Sequence, residues 1–592
     1  MSIVRAGGPT PLPQPARRPL KIFAFDPMLG RAARNRISID VPNEPLAPGP
    51  IGSRIEVVDY EASNRLRYPP VDLNDPAVLM AGGIDPMEAE PRFHQQMVYA
   101  VASRVVENFE RALGRRWAFR GDRPLRIYPH AFEGRNAFYH SGLKALLFGY
   151  FQADLDDPGP NIPGQTIYTC LSHDIIAHEM SHAMVDRMRE HFLEPSNPDT
   201  LAFHEGFADI IAILQHFSFT GILRQTITAQ RGDLRAPGPM LELASEFGYA
   251  TGRQAALRTA LDPDAKPDVQ LYQTTSEPHE RGSVLVHAVF DAFFSTYQAR
   301  IADLLRISGD GTAASDHELH PDLVGRVAEE AAKTAQNVLT MCIRAFEYLP
   351  PVDLTYGDYL RALVTSDFEV VPDDPLEQRN ALIEAFRVRG IVPHGVSSLA
   401  LNALLWPPRT VSEPLPRQQV VDELQAGALA FTPTQAGAGR HWDPKALNAW
   451  AVRHADELDL DGGRPIRVQG FHALYRVTRE GQLRIELVVQ FIQTAGDNEF
   501  GGLAGVPLRG GCTVVASSDG EVRYVISKPL PKSDGSSSGD RGAEARARLE
   551  AQRAFVEETD LTDARAAFDN AQYSARRMEA RTSLARLHRG LL

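Results

Sequence analysis

Cysteine is scarce in this chain of 592 residues: the three that it has, Cys170, Cys342 and Cys512, are far apart. An odd number of widely separated cysteines is no disulfide framework, and the chain lacks the Cys-x-x-Cys pairs that mark thiolate zinc sites. We therefore expect each cysteine to be a small buried side chain rather than a reactive thiol.

Long apolar runs are missing as well. No stretch approaches the roughly 18 to 20 consecutive apolar residues of a membrane-spanning helix. The first 23 residues, MSIVRAGGPTPLPQPARRPLKIF, contain no apolar run of the kind found in signal peptides. These absences predict a cytoplasmic protein without a membrane span, and they leave export by a leaderless route open.

An excess of basic residues is also lacking. Asp and Glu number 75 against 62 Lys and Arg, which gives a formal net charge of −13. Nucleic-acid binding requires clustered Lys and Arg to contact the phosphates, so this balance argues against a nucleic-acid partner. The composition is otherwise that of an ordinary globular protein, and the length suits about three domains.

Turn-rich segments and changes of periodicity divide the chain. We predict a disordered N-terminus at 1–19, an N-terminal α/β lobe at 20–200, a helical lobe at 201–390, a strand-rich accessory domain at 391–531, and a linker with a helical tail at 532–592. Apolar residues at helical spacing predict helices at 92–114 and 173–188. Alternating apolar residues in FHALYRVTREG, QLRIELVVQFIQT and EVRYVISK predict strands in the accessory domain.

The pattern HEMSH, from His178 to His182, carries the strongest chemical indication. Residues four apart lie on one face of an α-helix, so both imidazoles can bind one Zn²⁺. Glu179 is offset by one position and can act as the general base towards a zinc-activated water. The flanking apolar residues predict a buried helix, and buried polar groups persist when they are paired or bind a metal.

A second predicted helix, at 201–217, supplies the third ligand. Catalytic zinc takes three protein ligands, and Glu205 and Asp209 lie four apart on one face of this helix. Glu205 is the predicted ligand, and Asp209 is expected to accept the remaining N–H of a ligand histidine. The 22 residues between His182 and Glu205 are enough for a loop and a returning helix.

These motifs resemble those of the gluzincin metallopeptidases, and within that group those of the thermolysin-like (M4-type) endopeptidases. Three further segments are similar to family segments: NAFY, which begins at Asn136, LRTALDP, which contains Arg258, and EPHERG, which contains Glu277 and His279. The likeness spans residues 136–297 and extends more loosely over 20–363.

The resemblance implies an α+β fold, a thermolysin-like two-lobe zincin with a strand-rich lobe, a helical lobe and a zinc cleft between them. A smaller α+β C-terminal domain and a helical tail would follow. The implied activity is hydrolysis of internal bonds in a peptide or protein substrate, with one Zn²⁺ per chain. The resemblance implies that His279 is the oxyanion donor and that Glu277 is its partner. It also implies that the substrate is bound by Asn136, Ala137 and Arg258.

Some features depart from the family pattern. The spacing to Glu205 is longer than usual, and His204 stands where an asparagine is usual, so a contact near the ligands is expected to differ. The family's catalytic tyrosine is missing between the zinc motifs, where His191 is the candidate substitute. Acidic calcium-binding loops are not evident in the sequence. These departures indicate a divergent branch.

Two other functions stay open at this point. An aminopeptidase could use the same zinc core, although the chain lacks the Gly-x-Met-Glu-Asn segment typical of that group. A non-catalytic zinc-binding interaction protein could work through its C-terminal domain or tail, and an active peptidase could bind a protein partner there too. The intact Glu179 favours catalysis.

Overall fold

The computed structural model describes residues 15–31, 35–119, 123–236, 238–245, 258–259, 267–308, 319–430, 442–478, 481–496, 507–532 and 540–558. Most of the predicted disordered N-terminus at 1–19 lies outside the described residues, although a strand begins at Arg17. Part of the predicted linker, at 533–539, and the predicted helical tail beyond residue 558 also lie outside them.

The chain begins with short strands and two helices. These are β1 (Arg17–Phe23), β2 (Arg36–Pro42), β3 (Ile55–Val57), β4 (Tyr60–Glu61), β5 (Leu66–Arg67), α1 (Pro76–Ala81) and α2 (Pro91–Leu113). β1 and β2 form an antiparallel pair. In α2, a glutamate caps the N-terminus, Pro91 occupies the first turn, and Gly114 in the left-handed region (φ 64°) ends the helix.

A five-stranded sheet follows, formed by β3 with β6 (Leu125–Glu133), β7 (Ala137–His140), β8 (Ala145–Gln152) and β9 (Thr166–Tyr168). The order is β3-β6-β8-β7, and β9 also pairs with β8. β3, β6 and β8 are parallel, whereas β7 runs antiparallel to β8 and forms an edge of the sheet. The backbone of an edge strand can pair with another chain.

Three helices come next: α3 (His173–Met188), α4 (Pro198–His216) and α5 (Thr220–Gln230). The Ser172 side chain caps α3 by accepting from the Ile175 N–H, and the Asn197 side chain caps α4 by accepting from the Asp199 N–H. Most residues of α3 and α4 are buried. The bounds of α3 are those predicted from the apolar spacing.

The remainder of the helical region contains β10 (Glu242–Leu243), β11 (Arg258–Thr259), α6 (Val269–Thr274), α7 (Pro278–Ser308), α8 (Pro321–Arg344), α9 (Tyr356–Phe368), α10 (Gln378–Arg387) and α11 (Leu401–Leu404). α7 is the longest of these helices, and its first half is buried against α4. The sequence predicts a mostly helical region here, and the described residues agree with that prediction.

The C-terminal part consists of α12 (Arg417–Ala430), α13 (Pro444–Arg453), β12 (Arg467–Val477), β13 (Leu483–Thr494), β14 (Arg509–Ser517), β15 (Val522–Lys528) and α14 (Asp540–Glu558). The four strands form an antiparallel meander in chain order. On one face, Val488 and Val515 join the main core of the protein. On the other, Val489 and Val514 pack with Trp450 of α13 in a second cluster.

Buried charges fix this sheet to the helical region. Arg476 of β12 and Glu486 of β13 form an ion pair at 3.3 Å, with both side chains 1% exposed. The Tyr348 hydroxyl, which precedes α9, donates to Glu486 at 3.1 Å. Burial raises the pKa of the Glu486 carboxyl, although the nearby Arg476 opposes this effect. Because the Tyr348 hydroxyl of the helical region bonds to this buried carboxylate of the sheet, the two parts are held together.

Among the described residues, no single helix has both the length and the apolar run needed to cross a membrane. The pair α4 and α5, bent by 86° at their junction, meets the criteria of length and composition when the two helices are taken together.

α4 and α7 cross closely at two glycines. A Cβ on Gly206 of α4 would lie 2.6 Å from the carbonyl oxygen of Gly282 in α7. A Cβ on Gly282 would lie 3.0 Å from the Ala202 carbonyl oxygen. Backbones this close tolerate no side chain, so the two glycines set the distance between the helices.

A Gly206→Ala substitution tests the crossing. The added methyl group must push α7 away, so we expect a loss of about 1–3 kcal/mol in the free energy of unfolding. Denaturant unfolding measures the loss. The matched control is Gly221→Ala in α5, where an added Cβ meets nothing within 4 Å and alanine favours the helix. Equal stability of the two variants would contradict the tight crossing.

Candidate metal centre

α3 buries both histidines of the HEMSH pattern together with its glutamate. His178, Glu179 and His182 are at most 4% exposed. Four-residue spacing brings the two imidazoles onto one face of the helix, and their Nε2 atoms lie 3.0 Å apart. Donor atoms of these three residues form a group that could hold a metal ion.

Glu205 of α4 completes the arrangement. Its Oε2 lies 3.2 Å from His178 Nε2, and its Oε1 lies 3.5 Å from His182 Nε2. Donors placed tetrahedrally around zinc, at the usual bond lengths, are about 3.3 Å from one another. The three separations among these donors bracket that spacing, so the donor set fits a zinc ion.

The second ring nitrogen of each histidine, Nδ1, points away from the cluster and contacts α4. His178 Nδ1 lies 2.8 Å from Asp209 Oδ1, so the ring donates its N–H to the carboxylate and directs the Nε2 lone pair towards Glu205. His182 Nδ1 lies 3.2 Å from His204 Nδ1. Burial lowers the pKa of His204 to about 4, which leaves a neutral ring able to accept the N–H of His182. His204 thus contacts a ligand candidate directly, at the position where the sequence departs from the family pattern.

Glu179 is oriented by the edge strand of the five-stranded sheet. Its Oε2 accepts a hydrogen bond from the backbone N–H of Tyr139 in β7, at 2.8 Å. The Tyr139 hydroxyl donates to Asp186 Oδ2 at 2.6 Å, one turn beyond His182 on α3. One residue therefore ties the glutamate, the edge strand and the end of α3 together.

His279 approaches the cluster from the first turn of α7. Its Nε2 lies 3.3 Å from Glu205 Oε2, and its Nδ1 lies 2.8 Å from Glu277 Oε1. Burial acts to raise the pKa of Glu277, but hydrogen bonds from His279 and from the Glu280 N–H outweigh it and lower the pKa to about 2. Glu277 is therefore ionised near neutrality and can hold the His279 ring in place.

Comparison with known proteins gives a distant likeness. No protein-family model matches the chain, and no curated protein matches it. The solved structure of the precursor of protealysin, a metalloproteinase from Serratia proteamaculans, is similar with a TM-score of 0.34 and 14% sequence identity. The match covers 59% of this chain and 90% of that chain. The function has to be argued from the residues of the site itself.

Two of the three predicted substrate-binding residues lie on strands, and the third directly precedes one. Asn136 is buried just before β7, and its carbonyl oxygen accepts the Gly149 N–H at 2.9 Å. Ala137 begins β7 and pairs with Phe148 of β8. Arg258 lies in β11, whose backbone pairs with β10, and its side chain is outside what the structure describes.

His191, the candidate substitute for the missing tyrosine, is engaged elsewhere. It lies in a short 3₁₀ helix at Glu190–Leu193, and its Nδ1 is 3.0 Å from Glu194 Oε1. Its Nε2 lies 3.1 Å from the guanidinium of Arg467 in β12, which can only donate. The ring therefore joins the loop between α3 and α4 to the C-terminal sheet.

Sequence reasoning missed the contacts made by Tyr139 and Asp186. Asp186 lies four residues after His182, a spacing that places it on the same side of α3. That spacing was available as a signal. No sequence signal predicts the hydrogen bond from the Tyr139 backbone N–H to Glu179, because a backbone N–H does not depend on the residue type.

An Asp209→Ala substitution tests the contact to His178. Loss of the carboxylate frees the ring, so we expect zinc affinity to fall about 10- to 100-fold. Competition with a chelator of known affinity measures this change. The control is Asp186→Ala, since Asp186 is a similarly buried carboxylate that binds Tyr139 and Lys144 instead. Unchanged affinity in Asp209→Ala would remove Asp209 from the site.

Proposed function

We propose that this chain is a zinc-dependent peptidase that hydrolyses internal peptide bonds, with zinc bound by His178, His182 and Glu205. The observation that carries the proposal is the convergence of these three donors at 3.0–3.5 Å. Glu179, Glu205 and Asp209 also bring three buried carboxylates into one region. A divalent cation offsets their charge, which burial would otherwise disfavour.

Zinc in such a site supplies Lewis-acid activation of a water and of the scissile carbonyl. Glu179 acts beside it as the general base, taking the proton of the attacking water and passing it to the leaving amine. The hydrogen bond from the Tyr139 N–H supports this role, because it fixes the orientation of the carboxylate. A glutamate held in this way is ready to accept the proton at one defined oxygen.

His279 is the proposed oxyanion donor. Its Nε2 faces the same Glu205 oxygen that lies beside His178, so the ring borders the space where a carbonyl would react. The ionised Glu277 accepts from the opposite nitrogen and favours the protonated ring, which is the form that can also donate from Nε2. Donors already in place stabilise the charge that develops in the transition state.

β7 is the proposed binding strand for the substrate backbone. It is an edge strand, and its residue Tyr139 contacts the proposed base. A peptide added along this edge would gain main-chain hydrogen bonds and would lie next to Glu179. Asn136 and the backbone of Ala137 would hold it, and Arg258 would contact a carbonyl further along.

Metal content and cleavage of casein test the proposal together. We expect zinc in the wild-type chain, and less zinc and no cleavage after Glu205→Ala, because a ligand is lost. Glu179→Gln should keep the zinc of the wild type and lose cleavage, because only the base is removed. Elemental analysis and a gel assay give both readouts. Near wild-type turnover in Glu179→Gln would falsify the assignment of the base.

The same assays separate the other functions. Cleavage of peptides with a blocked amino terminus indicates an endopeptidase, whereas a requirement for the free amine indicates an aminopeptidase. Zinc that depends on Glu205, without cleavage of any unstructured protein, would favour a binding protein instead.

His279→Ala tests the oxyanion donor. We expect kcat to fall roughly 10²- to 10³-fold with little change in zinc content, as for the loss of one such donor. Steady-state kinetics on a peptide substrate measure the change. The control is His394→Ala, which removes an exposed imidazole instead of a buried one. A wild-type kcat in His279→Ala would make His279 a structural residue only.

A further inference from the structure

A second cluster of metal-binding side chains lies outside the candidate centre. His94 of α2, His130 of β6 and Cys170, which lies in a short 3₁₀ helix at Thr169–Leu171, have donor atoms within 4.8 Å of one another. All three side chains are at most 1% exposed. Such burial of two imidazoles and a thiol together calls for partners within the protein.

The ring nitrogens that point away from the cluster, Nε2 of His94 and Nδ1 of His130, have such partners. His94 Nε2 lies 2.9 Å from the backbone carbonyl oxygen of Glu88, which can only accept, so His94 carries a proton on Nε2. His130 Nδ1 lies 2.7 Å from Asp59 Oδ1, and the buried Asp59 is held in turn by the side chain of Gln95. His130 therefore donates from Nδ1. An outward N–H bonded to a carbonyl or a carboxylate is the usual arrangement of metal-binding histidines.

The inward nitrogens then face each other without a proton to share. His94 Nδ1 and His130 Nε2 lie 2.8 Å apart, and in two neutral rings with outward N–H groups both atoms carry lone pairs. Either a third proton or a metal cation must lie between them.

Cys170 completes the set with a third soft donor. Its sulfur and one nitrogen of each ring belong to the same group of donor atoms. A thiol this deeply buried becomes a thiolate only next to a cation. Imidazole and thiolate donors together suit zinc among the common divalent metals.

We infer that His94 Nδ1, His130 Nε2 and Cys170 Sγ bind a second, structural zinc ion, distinct from the one proposed for catalysis. With three protein ligands, a water would take the fourth position of a tetrahedral ion. The ion ties α2, β6 and the segment before α3 together. Because α3 begins three residues after Cys170, this zinc fixes the start of the helix that carries His178 and His182.

A third cluster serves as a comparison. His173, Asp174 and His216 also bring donor atoms together. There, His216 Nε2 lies 2.5 Å from Asp174 Oδ1, and His216 Nδ1 lies 3.2 Å from the Met240 carbonyl oxygen. Each ring nitrogen of His216 faces an oxygen acceptor, so both can be bonded as N–H groups beside the Asp174 carboxylate. That cluster does not require a metal.

Zinc content and a cobalt spectrum test the second site without reference to activity. The wild-type chain should hold one more zinc ion than Cys170→Ala, and Glu205→Ala should retain the second-site zinc. Cobalt-loaded Glu205→Ala should show the near-ultraviolet absorption of a thiolate–cobalt bond, which adding Cys170→Ala abolishes. Adding Cys512→Ala, which removes another buried thiol, should leave the band in place.

The outcomes separate the two sites. If the catalytic proposal fails and this one holds, the zinc content falls in Cys170→Ala and is unchanged in Glu205→Ala. Equal zinc in the wild type and in folded Cys170→Ala would overturn the inference. Absence of the thiolate band from folded, cobalt-loaded Glu205→Ala would overturn it as well. This second test involves no substitution in the cluster itself. Either result would leave a protonated histidine pair facing Asp59.

Discussion

The burial of ionisable side chains is the constraint on which the rest of this structure depends. α3 and α4 place two imidazoles and three carboxylates where water scarcely reaches, and such groups persist there only when each has a matching partner. Asp209 contacts Nδ1 of His178, and His204 contacts Nδ1 of His182. A backbone N–H of β7 donates to Glu179, which lies between the two histidines in the sequence. The remaining donors converge on one point, and the glycine crossing of α4 and α7 brings His279 to the same place.

Helical periodicity made much of the candidate site predictable. A four-residue spacing predicts which side chains share a helix face, both in the HEMSH pattern and between Glu205 and Asp209. The apolar residues of α3 predict where that helix begins and ends. Strand alternation likewise indicated β12, β13 and β15. It missed β14, because Gly510 and Gly511 carry no side chain and the short run after them shows no alternation of apolar and polar residues.

Contacts between distant segments could not be predicted in this way. Nothing in the residue pattern links His191 to Arg467, which lies in another part of the chain. Cys170 illustrates the same limit: counting cysteines makes it an inert buried side chain, while the fold places it beside two histidines from earlier elements. Local rules describe which groups are available, whereas the packing of the whole chain decides what they meet.

The sheet formed by β12–β15 has a consequence for how the protein is made. One of its faces is part of the main core, and Arg467 reaches the loop between α3 and α4. On the ribosome, these two helices emerge before this sheet has been translated. At ordinary elongation rates the delay is on the order of tens of seconds. During that time the core is incomplete, so a nascent chain does not reach its final form until nearly all of it has been synthesised.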